Sequence, residues 1–204
     1  MWRGACIIHS AWNLRGAALK GVFRVKHYEK KISSEQIYDG MIVSLRRDQV
    51  ELENGDPALR EVIDHPGGVA VLAVDPDGNI LFVSQYRYAV QEELIELPAG
   101  KLERGEDPAA AGMRELEEEC GCIAGRFEPL GRLYPTCAYD TEVIHLYLAQ
   151  DLRPSKQHLD EGEFLTVRKI PADEALRMVL SGELPDAKTQ VGILKWHAMQ
   201  QNKA

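Results

Sequence analysis

The 204-residue sequence contains only four cysteines, and their spacing does not form a metal-binding pattern. Cys6, Cys120, Cys122 and Cys137 lack the paired arrangement of a zinc site, and Cys120-Gly121-Cys122 is one residue short of a C-x-x-C motif. We expect reduced structural thiols, as is typical of a cytoplasmic protein. No stretch approaches the roughly 20 consecutive apolar residues that span a membrane, so no membrane partner is expected.

Acidic residues are absent from residues 1–28, although the chain as a whole is acidic. That segment has five basic residues, so the remainder carries a charge of −13 within a net charge of −8. Such a balance argues against a protein that binds nucleic acid by charge alone. The segment suits a transit peptide or an upstream extension, whereas its apolar run is too short for a secretory signal. We expect residues 1–27 to be a poorly ordered extension.

Internal repeats and low-complexity tracts are also absent, and the remaining pattern indicates a mixed α/β protein. Turn signals such as Asn54-Gly55 separate short extended segments within residues 28–63, which predicts a small antiparallel sheet there. The predicted strands are 36–43, 50–52, 60–63, 69–74, 80–83 and 93–98, then further strands after the first helix that end with 143–148, and finally 164–170. The predicted helices are 108–120, 172–181 and 187–200. Residues 99–105 and 151–163 are predicted loops. Because hairpin connections predominate, we expect an α/β sandwich.

The first predicted helix has clear boundaries. Asp107 is a favourable N-cap, Pro108 suits the first helical position, and Gly121 is a typical stop. The apolar residues of this helix recur at helical spacing and predict its buried face. They are Ala109, Met113, Leu116 and Cys120.

Three glutamates share the opposite face of this helix. Glu115, Glu118 and Glu119 are three and four residues apart, so their like charges repel. A bound cation would relieve that repulsion, and carboxylate oxygens are the ligands that Mg²⁺ and Mn²⁺ prefer. Arg114 can reach Glu118 at i,i+4. The alternative is an ordinary solvated acidic face.

The spacing of the surrounding residues favours the metal-binding interpretation. The stretch fits G-x5-E-x7-R-E-U-x-E-E-x-G-U, where U is a bulky apolar residue, although Cys122 is a weak choice at the last position. The eight fixed residues are Gly100, Glu106, Arg114, Glu115, Leu116, Glu118, Glu119 and Gly121. This stretch resembles the Nudix box, and the chain is therefore similar to the Nudix hydrolases.

The resemblance extends beyond the box to the ADP-ribose pyrophosphatase branch. The similar segments are 65–71, 85–87, 96–100, Tyr134-Pro135, 141–144 and 186–189. The resemblance implies a Nudix α/β/α sandwich with a mixed sheet over residues 64–204. It also implies that the small sheet of residues 28–63 precedes this domain, exchanges between the subunits of a homodimer and helps to hold the adenine.

The resemblance also implies roles for the box residues. Glu115, Glu118 and Glu119 match the carboxylates that bind Mg²⁺, with Mn²⁺ as a possible substitute, and the backbone carbonyl of Ala99 matches a further ligand. Arg114 would orient the glutamates, and Glu106 would pair with Arg114 or cap the helix. Gly100 and Gly121 would be structural.

A general base is expected outside the box, on the late acidic loop Asp160-Glu161-Gly162-Glu163. The resemblance places such a loop just before a strand in this branch. We assign Glu161 as the base and Glu163 as an additional metal ligand. The alternative is that both are ordinary exposed acids.

Several residues outside the box are candidate substrate ligands. Arg87 suits bidentate binding of a phosphate, with an exposed strand arginine as the alternative. Glu142 would position the substrate or a metal-bound water. Tyr38, Arg46 and Arg47 are candidates for the adenine contact, with ordinary surface or packing roles as the alternative. Relatives commonly carry Ser-Pro-Gly after Tyr-Pro, whereas this chain has Thr136-Cys137-Ala138, which leaves the substrate less certain.

The expected activity is Mg²⁺-dependent hydrolysis of a nucleoside diphosphate sugar. ADP-ribose, giving AMP and ribose 5-phosphate, is the first choice, and UDP-glucose, GDP-mannose or another dinucleotide is the alternative. Glutamates can approach an anionic pyrophosphate only with cations between them, which explains the acidic helix. A second class of function is a ligand sensor that no longer hydrolyses. A third is an interaction protein built around the basic N-terminal segment.

Overall fold

A small three-stranded antiparallel sheet begins the described part of the chain. The computed structural model describes residues 27–202, so almost all of the predicted N-terminal extension lies outside the described residues. The strands are β1 (Lys30–Asp39), β2 (Ser44–Glu51) and β3 (Pro57–Asp64), in the order β1-β2-β3. The predicted strand over 36–43 is wrong in its second half, because the amide of Gly40 donates to the carbonyl of Val43 at 3.0 Å and the chain turns there.

A second, mixed sheet of seven strands forms the centre of the molecule. Its strands are β4 (Gly68–Val74), β5 (Asn79–Arg87), β6 (Glu92–Glu96), β7 (Ala99–Lys101), β8 (Cys122–Leu133), β9 (Ile144–Pro154) and β10 (Leu165–Pro171). The main path is β10-β5-β4-β9-β8, with β6 beside β5 and β7 beside β4. The β4–β9 pair is parallel and the other pairs are antiparallel. This confirms the predicted mixed sheet.

Helices cover both faces of this sheet. They are α1 (Pro108–Cys120), α2 (Ala172–Ser181) and α3 (Ala187–Gln201). Strand β4 is buried throughout, and alternate side chains point to opposite faces. Leu72 belongs to the core beneath α2 and α3, whereas Val71 belongs to the core beneath α1, which confirms the predicted α/β/α sandwich.

Helix α1 has the predicted ends but a different buried face. The Asp107 carboxylate accepts from the amides of Ala109 and Ala110, and Gly121 adopts a left-handed conformation with φ 60°. Met113, predicted as core, is 45% exposed. Gly112 takes that role, because its missing side chain lets the helix approach the sheet: a Cβ at Gly112 would lie 2.9 Å from the Phe127 ring.

Strands occupy part of two segments that the sequence predicts as loops. Strand β7 occupies residues 99–101 within the predicted loop 99–105, and β9 extends to Pro154 within the predicted loop 151–163. The first difference matters for function because β7 brings the first box residues beside α1. None of the helices formed by residues 27–202 has both the length and the apolar character required to cross a membrane.

Candidate active site

The glycine that opens the box allows a carboxylate to lie directly against the backbone. A Cβ built at Gly100 would overlap the Glu115 carboxylate. Gly100 sits in β7, which pairs with β4 through Val69, so its position is fixed by the central sheet. Any larger residue would displace Glu115, which gives a physical reason for glycine at this position of the motif.

Arg114 contacts three of the box glutamates. Its Nε lies 3.1 Å from Glu106 Oε1, and its Nη1 lies 2.7 Å from Glu118 Oε2 and 2.9 Å from Glu115 Oε1. The bond to Arg114 also holds the pKa of Glu106 below its ordinary value. The helix cap is Asp107, and Glu106 accepts instead from the amide of Glu103. This geometry fits the expected orienting role of Arg114.

Glu119 is the most deeply buried box carboxylate, only 3% exposed. It accepts a hydrogen bond from the Ala99 amide at 2.9 Å, which joins α1 to the start of β7. Burial raises the pKa of Glu119 to about 8, and the nearby charges of Glu115 and Glu163 add to the rise. Burial also raises the pKa of Glu115. Burial and the neighbouring carboxylates therefore favour the protonated forms of Glu119 and Glu115, and a bound cation would favour the charged forms.

The donor set of these residues fits a divalent cation. Within residues 27–202, no three histidine, cysteine, aspartate or glutamate side chains converge into a ready-made metal-holding group. Glu118 points to Arg114, and Glu119 points to the Ala99 amide. The candidate donors are nevertheless all oxygens, as hard cations require. They are Glu115, Glu118, Glu119, Glu163 and the carbonyl of Ala99.

The acidic loop places its two glutamates differently. The charge of Glu163 acts on both Glu115 and Glu119, which puts Glu163 within reach of the box carboxylates. Its side chain also accepts from the Asp160 amide at 3.2 Å. Glu161 is exposed and makes no hydrogen bond or ion pair with another residue of the described chain. The roles assigned to them remain predictions.

A cavity of about 460 Å³ lies beside the box and is lined by two of the five candidate substrate ligands. Arg87, Glu142, Ala99 and Gly100 line it together with His65 and Lys188. The cavity thus joins the first residues of the box to residues from β5, the loop before β9 and the start of α3.

A buried ionic network holds Arg87 at the wall of this cavity. Arg87 Nε and Nη2 donate to the two carboxylate oxygens of Glu96 at 2.7 and 2.8 Å. Lys188 contacts the same carboxylate and lies 3.0 Å from Asp186. Burial favours the neutral form of Glu96, but Arg87 and Lys188 outweigh it and lower the pKa of Glu96 to about 2.

The sequence analysis assigned no role to Glu96 or Lys188. Both lie within segments that carry the family resemblance, 96–100 and 186–189. An acidic residue in one of these segments and a lysine in the other could have suggested an ion pair between them. Periodicity could not reveal it, because the two residues are far apart in the chain.

Glu142 is placed by a connection between the two sheets. The Ile63 amide donates to the Tyr139 carbonyl at 2.7 Å, and the Thr141 amide donates to the Ile63 carbonyl at 3.0 Å. Glu142 Oε1 then lies 3.5 Å from His65 Nδ1. The end of β3 therefore helps to set the position of the Glu142 side chain in the cavity.

The candidates for the adenine contact lie on the small sheet and do not line the cavity in the described chain. Arg46 Nη1 is 2.8 Å from both carboxylate oxygens of Asp64, and Arg47 Nη2 is 2.6 Å from Glu35. Tyr38 is 59% exposed. Their predicted role, which the family resemblance ties to a homodimer, stays a prediction.

The cysteines of the described chain are free thiols. Burial raises the pKa of Cys120 and of Cys122, which disfavours the reactive thiolate. Cys137 is exposed within the turn that departs from the branch pattern. Cys6 lies outside the described residues.

Comparison with known proteins agrees with the fold and with the site described above. The NUDIX domain family matches residues 64–194, and the nucleoside diphosphate sugar hydrolase N-terminal domain matches residues 29–63. A crystal structure of an ADP compounds hydrolase shares the fold, with a TM-score of 0.76 and 20% identity. The match covers 86% of this chain and 96% of that one.

Curated relatives match most of the chain at higher identity. An ADP-ribose pyrophosphatase from Bacillus subtilis is 42% identical over 81% of this chain and 90% of its own length. A methanol dehydrogenase activator from Bacillus methanolicus is 41% identical over the same shares. An ADP-ribose pyrophosphatase from Mycobacterium tuberculosis is 39% identical over 85% of this chain and 86% of its own length.

These matches cover both sheets and the whole acidic helix. They agree with the box glutamates, the cavity and the α/β/α layers described above. Members of this superfamily generally act with divalent metal ions, which agrees with the oxygen donor set. The chain belongs to the Nudix family and is a Nudix hydrolase.

Proposed function

We propose that this protein hydrolyses ADP-ribose to AMP and ribose 5-phosphate with Mg²⁺ as its metal ion. The observation that carries the proposal is the cavity lined by Arg87, Ala99 and Gly100. The carboxylates of Glu119 and Glu115 lie against Ala99 and Gly100, so proposed metal ligands adjoin a cavity that offers a guanidinium to a pyrophosphate. Two relatives named ADP-ribose pyrophosphatase support the choice of ADP-ribose among the possible nucleoside diphosphate sugars.

The residues of the chain have separate roles in the proposed reaction. Glu115, Glu118, Glu119, Glu163 and the Ala99 carbonyl would hold Mg²⁺, which when bound neutralises phosphate charge and lowers the pKa of a coordinated water. Arg114 keeps the glutamates oriented.

Outside the metal ligands, three side chains would act on the substrate and the attacking water. Arg87 presents its remaining guanidinium nitrogen to a phosphate oxygen, because Glu96 occupies the other two. Glu161 takes the proton of the attacking water as general base. Glu142, which lines the same cavity, orients the substrate.

The protein is further proposed to act as a cytoplasmic homodimer in which the small sheet contacts the second subunit. All ten residues of β1 are exposed in the single chain. They include the apolar side chains of Ile32, Ile37 and Tyr38, which a second subunit would cover.

Hydrolysis of a substrate panel tests the proposed activity. We expect ADP-ribose to be cleaved faster than UDP-glucose, GDP-mannose, NADH or a diadenosine polyphosphate, with product AMP identified by chromatography. EDTA should abolish turnover and added Mg²⁺ should restore it. A preference for another substrate would keep the mechanism and refute ADP-ribose. A folded protein that cleaves none of them would favour a ligand sensor.

A matched pair of variants tests the assignment of the base. We expect Glu161→Gln to lower kcat by roughly 10²–10⁴ while Mg²⁺ affinity stays unchanged, because it removes a proton acceptor and no metal ligand. Glu163→Gln should instead weaken Mg²⁺ binding, measured by calorimetry without substrate. Normal turnover of Glu161→Gln together with the larger loss in Glu163→Gln would reverse the two roles.

A second candidate function is the activation of a dehydrogenase. It is favoured by the activator from Bacillus methanolicus, which is as similar to this chain as the first pyrophosphatase. The two functions are separable, since the panel measures hydrolysis without a partner. A purified alcohol dehydrogenase whose rate rises only when this protein is added would support the second.

A further inference from the structure

The loop that carries the acidic residues is attached to the end of the box helix. We propose that Gln157 is a positioning residue that fixes the acidic loop relative to the metal-binding glutamates of α1. The proposal rests on the proposed hydrolytic function. It assigns a role to a residue that lies outside the box and outside every segment of the family resemblance.

The evidence begins with the carbonyl groups at the C-terminal end of α1. The last carbonyls of a helix have no partner within the helix and need one from elsewhere. Here the loop after β9 supplies three donors. Gln157 Nε2 donates to the Glu119 carbonyl at 2.6 Å, the His158 amide donates to the Glu118 carbonyl at 3.1 Å, and the Ser155 amide donates to the Gly121 carbonyl at 2.7 Å.

Two of these three bonds are made to the backbone carbonyls of proposed metal ligands, Glu118 and Glu119. The side chains of Glu118 and Glu119 accept from Arg114 and from the Ala99 amide, whereas their backbone carbonyls accept from the loop. Gly121 permits this contact, since a Cβ there would lie 2.9 Å from the Gln157 amide nitrogen. The loop backbone therefore packs directly against the terminal turn of α1.

The remainder of the loop has no such attachment. Among residues 27–202, the segment 159–164 makes no hydrogen bond to α1. It is closed on itself by the Glu163 amide, which donates to the Asp160 carbonyl at 3.1 Å. Its next fixed point is β10, which begins at Leu165 and pairs with Gln85. Residues 155–158 therefore fix one end of the acidic loop and β10 fixes the other. The attachment at residues 155–158 is the one that sets the distance of Glu161 and Glu163 from the box.

Gln157 is the single side chain among these three donors. The other two are backbone amides, which no substitution removes except proline. Ser155 adds a separate side-chain bond, from its hydroxyl to Glu117 at 2.5 Å, which does not involve a proposed metal ligand. Ser155→Ala is therefore a matched control, because it removes a side-chain bond between the same loop and α1 that does not involve a proposed metal ligand.

The experiment compares Gln157→Leu with Ser155→Ala by hydrogen exchange and by kinetics. Leucine keeps the size of the side chain and removes its donor. We expect amide exchange over residues 155–164 to accelerate about fivefold in Gln157→Leu, the equivalent of about 1 kcal/mol. We expect kcat on ADP-ribose to fall about fivefold with KM unchanged within twofold. Ser155→Ala should change neither quantity by more than twofold.

A double-mutant cycle distinguishes positioning from a general loss of structure. With both Glu161→Gln and Glu163→Gln present, adding Gln157→Leu should lower kcat by less than twofold, because the residues it positions are already inactive. A full additional fivefold loss in that background would overturn the proposal. Unchanged exchange in Gln157→Leu would also overturn it.

The outcomes separate this proposal from the proposed function. A wild-type protein that cleaves no substrate refutes the hydrolytic function, whereas the exchange comparison still decides the attachment by itself. If Gln157→Leu does not fold, Gln157→Glu is the second variant, since it keeps the shape and replaces the donor with an acceptor. It should give the same acceleration of exchange.

Discussion

Glu119→Gln should remove nearly all hydrolysis, with kcat/KM at least about 10³-fold lower than in the wild type. A metal ion contributes several kcal/mol of charge stabilisation in the transition state, and about 4 kcal/mol corresponds to about 10³-fold. Glu119 is the proposed ligand that joins α1 to Ala99, and glutamine removes the charge that the cation requires. Calorimetric titration with Mg²⁺ or Mn²⁺ should show a matching loss of affinity.

The fold of this variant should remain intact. Glutamine keeps an oxygen that can accept from the Ala99 amide, and it is neutral, as burial prefers at this position. Glu117→Gln is the matched control, because it makes the same change on the same helix at a variable position of the box. Glu117→Gln should turn over normally. A Glu119→Gln protein that binds metal and hydrolyses at the wild-type rate would refute the metal site.

Glu96→Gln should cause the largest loss of stability, about 3–5 kcal/mol of unfolding free energy near neutral pH. Removing one partner of a buried ion pair leaves the other charge without compensation. Here two cations are affected, since Arg87 and Lys188 share the same carboxylate. Urea unfolding monitored by circular dichroism measures the difference. KM for ADP-ribose should also rise, because Arg87 loses the partner that holds it at the cavity wall.

The effect should depend on pH with a defined sign. The pKa of Glu96 is lowered to about 2 in the folded protein, from an ordinary value of 4.5. Its contribution is therefore complete above about pH 4.5 and is lost as the pH falls from 4.5 towards 2. The stability difference between wild type and Glu96→Gln should stay constant from pH 8 to 5 and shrink below pH 4.5. A control at the exposed Glu92 should show no difference at any pH.

A difference that persists unchanged at pH 3 would contradict this account. It would mean that glutamine disturbs the packing around Leu97 and Thr189 and not the charge balance. The Thr189 hydroxyl accepts from the Leu97 amide at 2.9 Å, so this alternative has its own structural basis.

Helix α1 shows what could be predicted from the sequence. Asp107, Pro108 and Gly121 mark its ends by local backbone chemistry, and both ends agree with the structure. The glutamates could be placed on one face because helical spacing fixes that geometry. An α/β sandwich followed from the mixture of strands and helices, and its α/β/α layers followed from the family resemblance.

The errors and omissions concern contacts that no local pattern reports. Met113 fits the apolar period but is exposed, because the closest approach of helix to sheet is at Gly112. The Glu96–Lys188 pair joins distant segments. Gln157 is an ordinary polar loop residue whose role depends on the carbonyls it meets, and its sequence context carries no signal.

The parallel pairing of β4 with β9 has a consequence for the order in which the chain can fold. Gly68 pairs with Ile144, so the centre of the large sheet cannot close until α1 and the four strands between β4 and β9 have been synthesised. Contacts between such distant segments form slowly because they close long loops. On the ribosome, β4 and its apolar residues emerge early. They remain unpaired with β9 while the segment that includes α1 is synthesised. Chaperone dependence during synthesis should therefore peak between the release of β4 and that of β9, a period in which the fully buried strand β4 lacks its parallel partner.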